Sequence, residues 1–130
     1  MKSKKEVKTK AGYVDGFVLS VQKNKLTAYR NLARKASKIW IEHGALEYYE
    51  AVGDDMKTEM GISFPVLAKT KADEIVIFAW IVYKSKAHRN QVNKKVMKDK
   101  RLTGMKPEDM PFDCKNMAYG GFKILVSAKK

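Results

Sequence analysis

The stretch from residue 74 to residue 83, which reads EIVIFAWIVY, constrains the fold more than any other part of the chain. Its β-branched and aromatic residues favour a strand, and a strand points successive side chains to opposite faces. Both faces are apolar here: Ile75, Ile77, Ala79 and Ile81 lie on one, and Val76, Phe78, Trp80 and Val82 lie on the other. A strand that is apolar on both faces is predicted to be covered on both. The run is too short for a membrane-spanning helix.

The remaining elements follow from periodicity. Residues 13–21 predict a second strand that is also largely apolar on both faces but carries one carboxylate, Asp15. Apolar spacings of three and four predict a helix that begins at the N-cap Asn24 and ends at Gly44. Residues 46–52 and 119–126 predict further strands, and Ser85 is the expected N-cap of a second helix over 86–99. Within the long connection 53–73, residues 63–68 are predicted to be extended.

The order strand, helix, strand, strand, helix, strand is typical of the ferredoxin-like α+β fold, βαββαβ. This fold places the first and third strands at the centre of an antiparallel sheet and both helices on one face. The other face is then left apolar, and we predict that a second copy covers it, giving a homodimer of the dimeric α+β-barrel type. The alternative is a monomer whose long connections, 53–73 and 100–117, fold over the sheet. Both connections are expected at one edge of the sheet, as lids of a binding site or as dimer arms.

Length and charge set the domain plan. A chain of 130 residues indicates one domain, predicted over residues 12–130, after a basic disordered tail over residues 1–11. The single cysteine, Cys114, forms no internal disulfide and the chain begins without the apolar centre of a secretory signal, so we predict a cytoplasmic protein with no membrane partner. The net charge of +13 is compatible with nucleic acid as a partner, although solvated lysine-rich helix faces are the simpler explanation.

Short blocks along the chain resemble a known family. They are YVDGF at 13–17, AYR at 28–30, HGAL at 43–46, SFP at 63–65, WIVYKS at 80–85, KVMKD at 95–99, MPFD at 110–113 and YGGF at 119–122. In this order they resemble the YbaA-like family of uncharacterised bacterial proteins, over residues 13–126. The resemblance implies the dimeric α+β-barrel fold in a bacterial protein, and it implies no established activity.

Six residues are candidates for a site. Asp15 and His88 are the catalytic candidates, because a carboxylate in a central strand is desolvated and a histidine beside an apolar stripe titrates near neutral pH. The candidates for ligand binding are Trp80, Tyr83, Asp113 and Tyr119. Each candidate also has a purely structural alternative. For Asp15 it is a carboxylate held by hydrogen bonds, and for His88 a packing role. For the aromatic candidates it is a place in the core, and for Asp113 the capping of a turn. His43 and His88 lie on different helices with no third ligand nearby, so no metal is expected, and no cofactor is expected either.

Three hypotheses for function follow. The first is a protein that binds or transforms a small organic molecule in a pocket of the dimeric barrel, and the sequence leaves open whether it is an enzyme. The alternatives are an RNA- or nucleic-acid-binding module that uses the basic helix faces, and a non-enzymatic dimeric scaffold.

Overall fold

The computed structural model describes residues 10–130, and in this range the chain folds in the order β1–α1–β2–α2–β3–α3–β4. The predicted tail, residues 1–11, lies outside the described residues apart from its last two. The bounds are β1 Tyr13–Gln22, α1 Leu26–Glu42, β2 Glu47–Val52, α2 Phe64–Leu67, β3 Glu74–Tyr83, α3 Lys86–Met97 and β4 Ala118–Lys123.

Local signals account for most helix ends. Gly44 follows α1 with a φ of 118°, a left-handed conformation in which glycine avoids the clash of a Cβ. The Ser85 side chain accepts a hydrogen bond from the backbone N–H of His88 at 3.1 Å, as an N-cap does. Asn24 is not the N-cap of α1, because it lies inside a 3₁₀ turn, Lys23–Lys25, that precedes the helix.

The segment 63–68, predicted to be extended, instead contains the helical turn α2. Its N-cap Ser63 accepts a hydrogen bond from the backbone N–H of Val66, and Pro65 occupies the first turn. Proline suits this place because the first helical N–H groups have no partner within the helix. The connection between β2 and β3 is therefore partly ordered by a capped turn.

The four strands form one antiparallel sheet in the order β2-β3-β1-β4, with the first and third strands at its centre. The register places Asp15 opposite Ile81 of β3 and opposite Gly121 of β4. The ferredoxin-like α+β prediction, with the two main helices on one face of the sheet, is confirmed.

The core lies between that face and the two helices. One cluster of buried side chains surrounds Tyr83 and includes Ile39, Val92 and Val96. A second cluster lies towards the start of α1 and includes Leu19, Val21, Tyr29 and Ile77. Each buried aliphatic side chain contributes roughly 1.5–3 kcal/mol to the free energy of unfolding, so this layer holds the sheet and helices together.

The opposite face of the sheet, which we call the open face, bears Tyr49, Phe78, Trp80 and Phe122. The Tyr49 and Trp80 rings stack with centroids 4.9 Å apart, and Phe78 lies 5.3 Å from Trp80. Phe64 of α2 reaches Phe78 at 6.0 Å. Even so, Phe78 remains 43% exposed and Phe122 61% exposed. A single chain therefore leaves this aromatic face largely uncovered.

Candidate functional site

A cavity of about 600 Å³ lies between the helix-covered face of the sheet and the two helices. Side chains of all four strands, of α1 and of α3 contribute to its wall, and the connection 98–117 supplies the remainder. The size and position are those of a small-molecule pocket, because such pockets occupy roughly 300–1,000 Å³ and combine apolar walls with a few polar groups.

The polar end of the cavity is an ion pair between β1 and α3. Arg89 Nη1 donates to Asp15 Oδ1 at 2.9 Å, and Arg89 Nη2 donates to the Tyr13 hydroxyl at 3.3 Å. The guanidinium also lies over the Tyr13 ring, 5.1 Å from its centroid. Asp15 is only 4% exposed, so its charge is removed from water and depends on Arg89 for compensation.

Burial raises the pKa of Asp15 above its ordinary value, and the Arg89 guanidinium offsets part of that rise. Tyr83 and Asn93 also favour the ionised carboxylate. The Asn93 side-chain oxygen accepts hydrogen bonds from Trp40 Nε1 at 3.1 Å and from the Tyr83 hydroxyl at 3.3 Å. Asp15 is thus a carboxylate of increased basicity held in a fixed orientation.

One nitrogen of the Arg89 guanidinium is left without a partner in the described part of the chain. Its Nε is buried and has no hydrogen-bond partner among the residues that the structure describes. Buried donors are almost always paired in proteins, with protein groups, water or a bound ligand. A ligand oxygen in the cavity is one partner that would satisfy it.

A second polar group lines the cavity on the β2 side. The Glu50 carboxylate accepts a hydrogen bond from the Tyr29 hydroxyl at 2.6 Å and another from the Tyr48 hydroxyl at 2.7 Å. Burial, followed by the nearby Glu50 charge, raises the pKa of both phenols, so they stay protonated as donors. The same three residues also line a smaller groove of about 330 Å³ along α1 and β2, which Arg30 and Arg34 border.

The outer wall of the cavity is rich in methionine. Four of the seven methionines of the chain line it, and they lie at the end of α3 and in the connection that follows: Met97, Met105, Met110 and Met117. Phe112 packs edge-on against Tyr29 at 5.7 Å, and Tyr119 stacks on Phe17 at 5.9 Å. Unbranched thioether side chains adapt to irregular and aromatic surfaces, so this wall suits an apolar ligand.

The structure brings two of the six sequence candidates, Asp15 and Tyr119, to the cavity wall. Tyr83 is fully buried next to it and reaches it through Asn93. The other three lie elsewhere. His88 accepts a hydrogen bond from the backbone N–H of Lys84 at the start of α3, and burial lowers its pKa.

Trp80 lies on the open face, on the side of the sheet away from the cavity. Asp113 is exposed and caps a turn, accepting hydrogen bonds from the backbone N–H of Lys115 and from the Asn116 amide.

Sequence reasoning missed Arg89 and Glu50 as site residues. A helical spacing of three, four and seven from Arg89 to Val92, Asn93 and Val96 was a usable signal that Arg89 faces inward.

The basic helix faces are less continuous than the sequence suggested. Arg89 is engaged with Asp15, and Arg101 donates to both Asp99 and Glu42 at 2.7 Å. The hydrogen bonds from Arg101 and His43 hold the pKa of Asp99 below its ordinary value. Arg30, Arg34 and Lys38 are exposed.

Within residues 10–130, no three histidine, cysteine, aspartate or glutamate side chains are grouped to hold a metal ion. In the same range no helix is both long and apolar enough to cross a membrane.

The chain is similar in sequence to proteins that are described as uncharacterised. The family model described as "Protein of unknown function (DUF1428)" matches residues 12–114. The chain is 41% identical over 114 residues to "Uncharacterized protein YbaA" of Escherichia coli strain K12, covering 88% of this chain and 97% of that protein. The values are the same for YbaA of Shigella flexneri.

A solved structure is similar in fold. It is the crystal structure of an uncharacterized NIPSNAP domain protein from Burkholderia xenovorans, with a TM-score of 0.50 and 13% sequence identity. The match covers 89% of this chain and 94% of that chain. At this identity the likeness bears on the α+β architecture and not on a ligand or a reaction.

Proposed function

The chain belongs to the family of proteins of unknown function DUF1428, and we propose that its function is to bind a small organic molecule in the cavity between the sheet and its helices. The observation that carries the proposal is the combination of a large apolar cavity with a buried, oriented ion pair, Asp15 and Arg89, at one end. A pair placed only for stability has no need of the space beside it, and buried ion pairs are weak contributors to stability in any case.

The size of the cavity supports a ligand of drug-like dimensions. Its apolar wall would supply most of the binding free energy, because removal of apolar surface from water contributes roughly 25 cal/mol per Å². Its few polar groups would fix the orientation. In this proposal Asp15 and Arg89 bind the polar end of the ligand, and Tyr119 with the methionines binds its apolar body.

A cavity-filling substitution tests the proposal. Ala36 of α1 is buried and lines the cavity, whereas Ala28 of the same helix is exposed. Leucine at position 36 would occupy ligand space, and leucine at position 28 serves as the matched control. The measurement is ligand-observed NMR with a library of neutral aromatic fragments, complemented by native mass spectrometry of the freshly purified protein.

We expect fragments to bind the wild type and the A28L variant, and to lose at least about tenfold in affinity for A36L, which corresponds to about 1.4 kcal/mol. A cavity that binds no fragment, or one whose binding is unchanged in A36L, contradicts the proposal. Circular dichroism of A36L must match the wild type for the comparison to be valid.

We also propose that two copies pack their open faces together as a homodimer. Four large aromatic side chains lie on this face and Phe64 of α2 contacts one of them, Phe78. Further apolar side chains in and next to α2 are exposed, namely Ile62, Val66 and Leu67. A monomer rarely leaves an apolar patch larger than roughly 300–600 Å² exposed, and a stable interface buries roughly 800 Å² on each partner. Sedimentation velocity at micromolar concentration should give a dimer, and the F78K variant should give a monomer. A monomeric wild type contradicts this assembly.

A further inference from the structure

The charges that line the cavity restrict the kind of ligand it accepts. Among the described residues the acidic and basic side chains of its wall are two carboxylates, Asp15 and Glu50, and one guanidinium, Arg89. Arg89 is already paired with Asp15, and Glu50 is occupied by two phenol donors. A negatively charged ligand would therefore meet an excess of negative charge in a desolvated site, which is unfavourable. The cavity favours a neutral molecule.

The unused donor of Arg89 restricts the ligand further. Of the three guanidinium nitrogens, Nη1 donates to Asp15 and Nη2 to Tyr13, while Nε is buried and has no partner within residues 10–130. An acceptor oxygen on a neutral ligand would complete this set. Asp15 and Arg89 line the same end of the cavity, with Oδ1 and Nη1 2.9 Å apart, so a ligand that accepts a hydrogen bond from this guanidinium also lies next to the Asp15 carboxylate.

From this geometry we infer that the ligand is a neutral carbonyl compound, and that Asp15 transfers a proton to and from the carbon next to the carbonyl group while Arg89 binds the carbonyl oxygen. The inference rests on the proposed function of the cavity and adds a substrate class and a chemical step to it.

The step balances without a cofactor or a second reactant. The carbon–hydrogen bond breaks, and the proton forms an O–H bond on the Asp15 carboxylate. The electron pair of the broken bond forms a carbon–carbon double bond, and the π electrons of the carbonyl group move to its oxygen, giving an enolate. Return of the proton from Asp15 to the same carbon gives exchange, and return to a conjugated carbon gives an isomer.

The surroundings of Asp15 favour this transfer in two ways. The negative charge moves from the carboxylate to the enolate oxygen, and both positions adjoin the Arg89 guanidinium, so the charge is stabilised throughout. In addition, burial raises the pKa of Asp15 and makes the carboxylate a stronger base than one in water, with Arg89, Tyr83 and Asn93 as its polar neighbours. The apolar wall keeps water away from the enolate.

Hydrogen–deuterium exchange tests the inference directly. The probe is 2-tetralone, a neutral bicyclic ketone with acidic hydrogens next to its carbonyl group. Loss of the corresponding proton NMR signals in D₂O reports the transfer, and saturation-transfer NMR in the same tube reports binding. The variant is D15N, which keeps the shape of the side chain but removes the base. The matched control is D54N, which neutralises an exposed carboxylate outside the cavity.

We expect the wild type and D54N to accelerate exchange at least about tenfold over buffer, since general base catalysis contributes roughly 10²–10⁴. D15N should return the rate to that of buffer while 2-tetralone still binds. Binding without accelerated exchange in the wild type overturns the inference and leaves the proposed function standing. Acceleration that survives in D15N also overturns it, because another base would be responsible. Absence of binding by any library fragment removes the proposed function itself.

A matched anion tests whether the cavity prefers a neutral ligand. The anion 2-naphthoate has nearly the size of 2-tetralone but carries a full negative charge. We expect it to bind the wild type at least about tenfold more weakly than the ketone. Equal or tighter binding of the carboxylate would show that the cavity accepts anions, and it would overturn the assignment of a neutral ligand.

Discussion

Removal of the Arg89 charge should destabilise the fold because it leaves Asp15 buried without a cation. In the R89M variant methionine keeps the unbranched, apolar part of the side chain but makes neither the 2.9 Å bond to Asp15 nor the 3.3 Å bond to Tyr13. The Asp15 side chain is 6% exposed and that of Arg89 20%, so water compensates little. Breaking a buried pair by removing one partner costs roughly 3–5 kcal/mol in the free energy of unfolding at pH 7.

The loss should depend on pH in a defined direction. Without Arg89 the folded-state pKa of Asp15 rises further above its unfolded value of about 3.9. A carboxyl group whose pKa is raised on folding destabilises the folded state above that folded pKa, and the penalty disappears as pH falls below the unfolded pKa. The deficit of R89M relative to wild type should therefore shrink on acidification, by at most about 1.4 kcal/mol per pH unit.

Urea denaturation followed by tryptophan fluorescence at several pH values between 4 and 8 measures both effects. R34M is the matched control, because Arg34 is exposed and loses no ion pair among the described residues. The double variant D15L/R89M should be close to wild type in stability, since apolar replacement of both members removes the uncompensated charge. A deficit for R89M below about 1 kcal/mol at pH 7, or one that grows on acidification, would refute the description of Asp15 as a buried carboxylate dependent on Arg89.

Three further predictions concern the rest of the chain. S85A should lower the free energy of unfolding by roughly 0.5–2 kcal/mol, because the side chain that caps α3 is lost; a change below about 0.2 kcal/mol in a urea titration would contradict the cap. G121A should displace the Tyr13 ring, because a Cβ at this position collides with it, and a loss of at least 1 kcal/mol is expected in the same titration. Cys114, exposed in the structure, should react with a thiol reagent in the native protein as fast as in urea; protection in the native state would place it at an interface.

The sheet could be predicted from sequence because its two central strands are apolar on both faces and its helices are marked by their ends. Ser85 and Gly44 act locally, through one hydrogen bond and one backbone angle, so their effects do not depend on the remainder of the fold. Asn24 and the segment 63–68 are different. Asparagine is also favourable in a turn, and the proline in 63–68 suits both extended chain and a first helical turn. Local sequence therefore does not decide whether Asn24 begins the helix or lies in a turn, nor whether residues 63–68 are extended or helical.

The site was only partly predictable for a related reason. Asp15 is visible because a carboxylate is rare in an apolar strand. Arg89 belongs to a lysine-rich helix whose charges were expected to be solvated, although it lines the cavity together with Asn93 and Val96. Trp80 was a candidate for ligand binding, but the sequence does not give the register between β1 and β3 and so does not say which face of β3 adjoins Asp15. That register puts Ile81, and not Trp80, opposite Asp15, and a shift of one residue exchanges the two faces.

The cavity exists because the two main helices differ in length and cover the sheet unequally. Helix α3 is shorter than α1, and it packs beside the end of α1, where Asn93 bonds to Trp40 and Asp99, just beyond α3, bonds to His43 at 2.8 Å. The sheet surface beneath the middle of α1 is thus left to the connection 98–117, whose methionines cover it without filling it. The polar pair of Asp15 and Arg89 therefore borders open space and not a packed core. A chain that lengthened α3 over this surface would gain buried area and lose the cavity, so the short helix is a structural requirement of the proposed binding function.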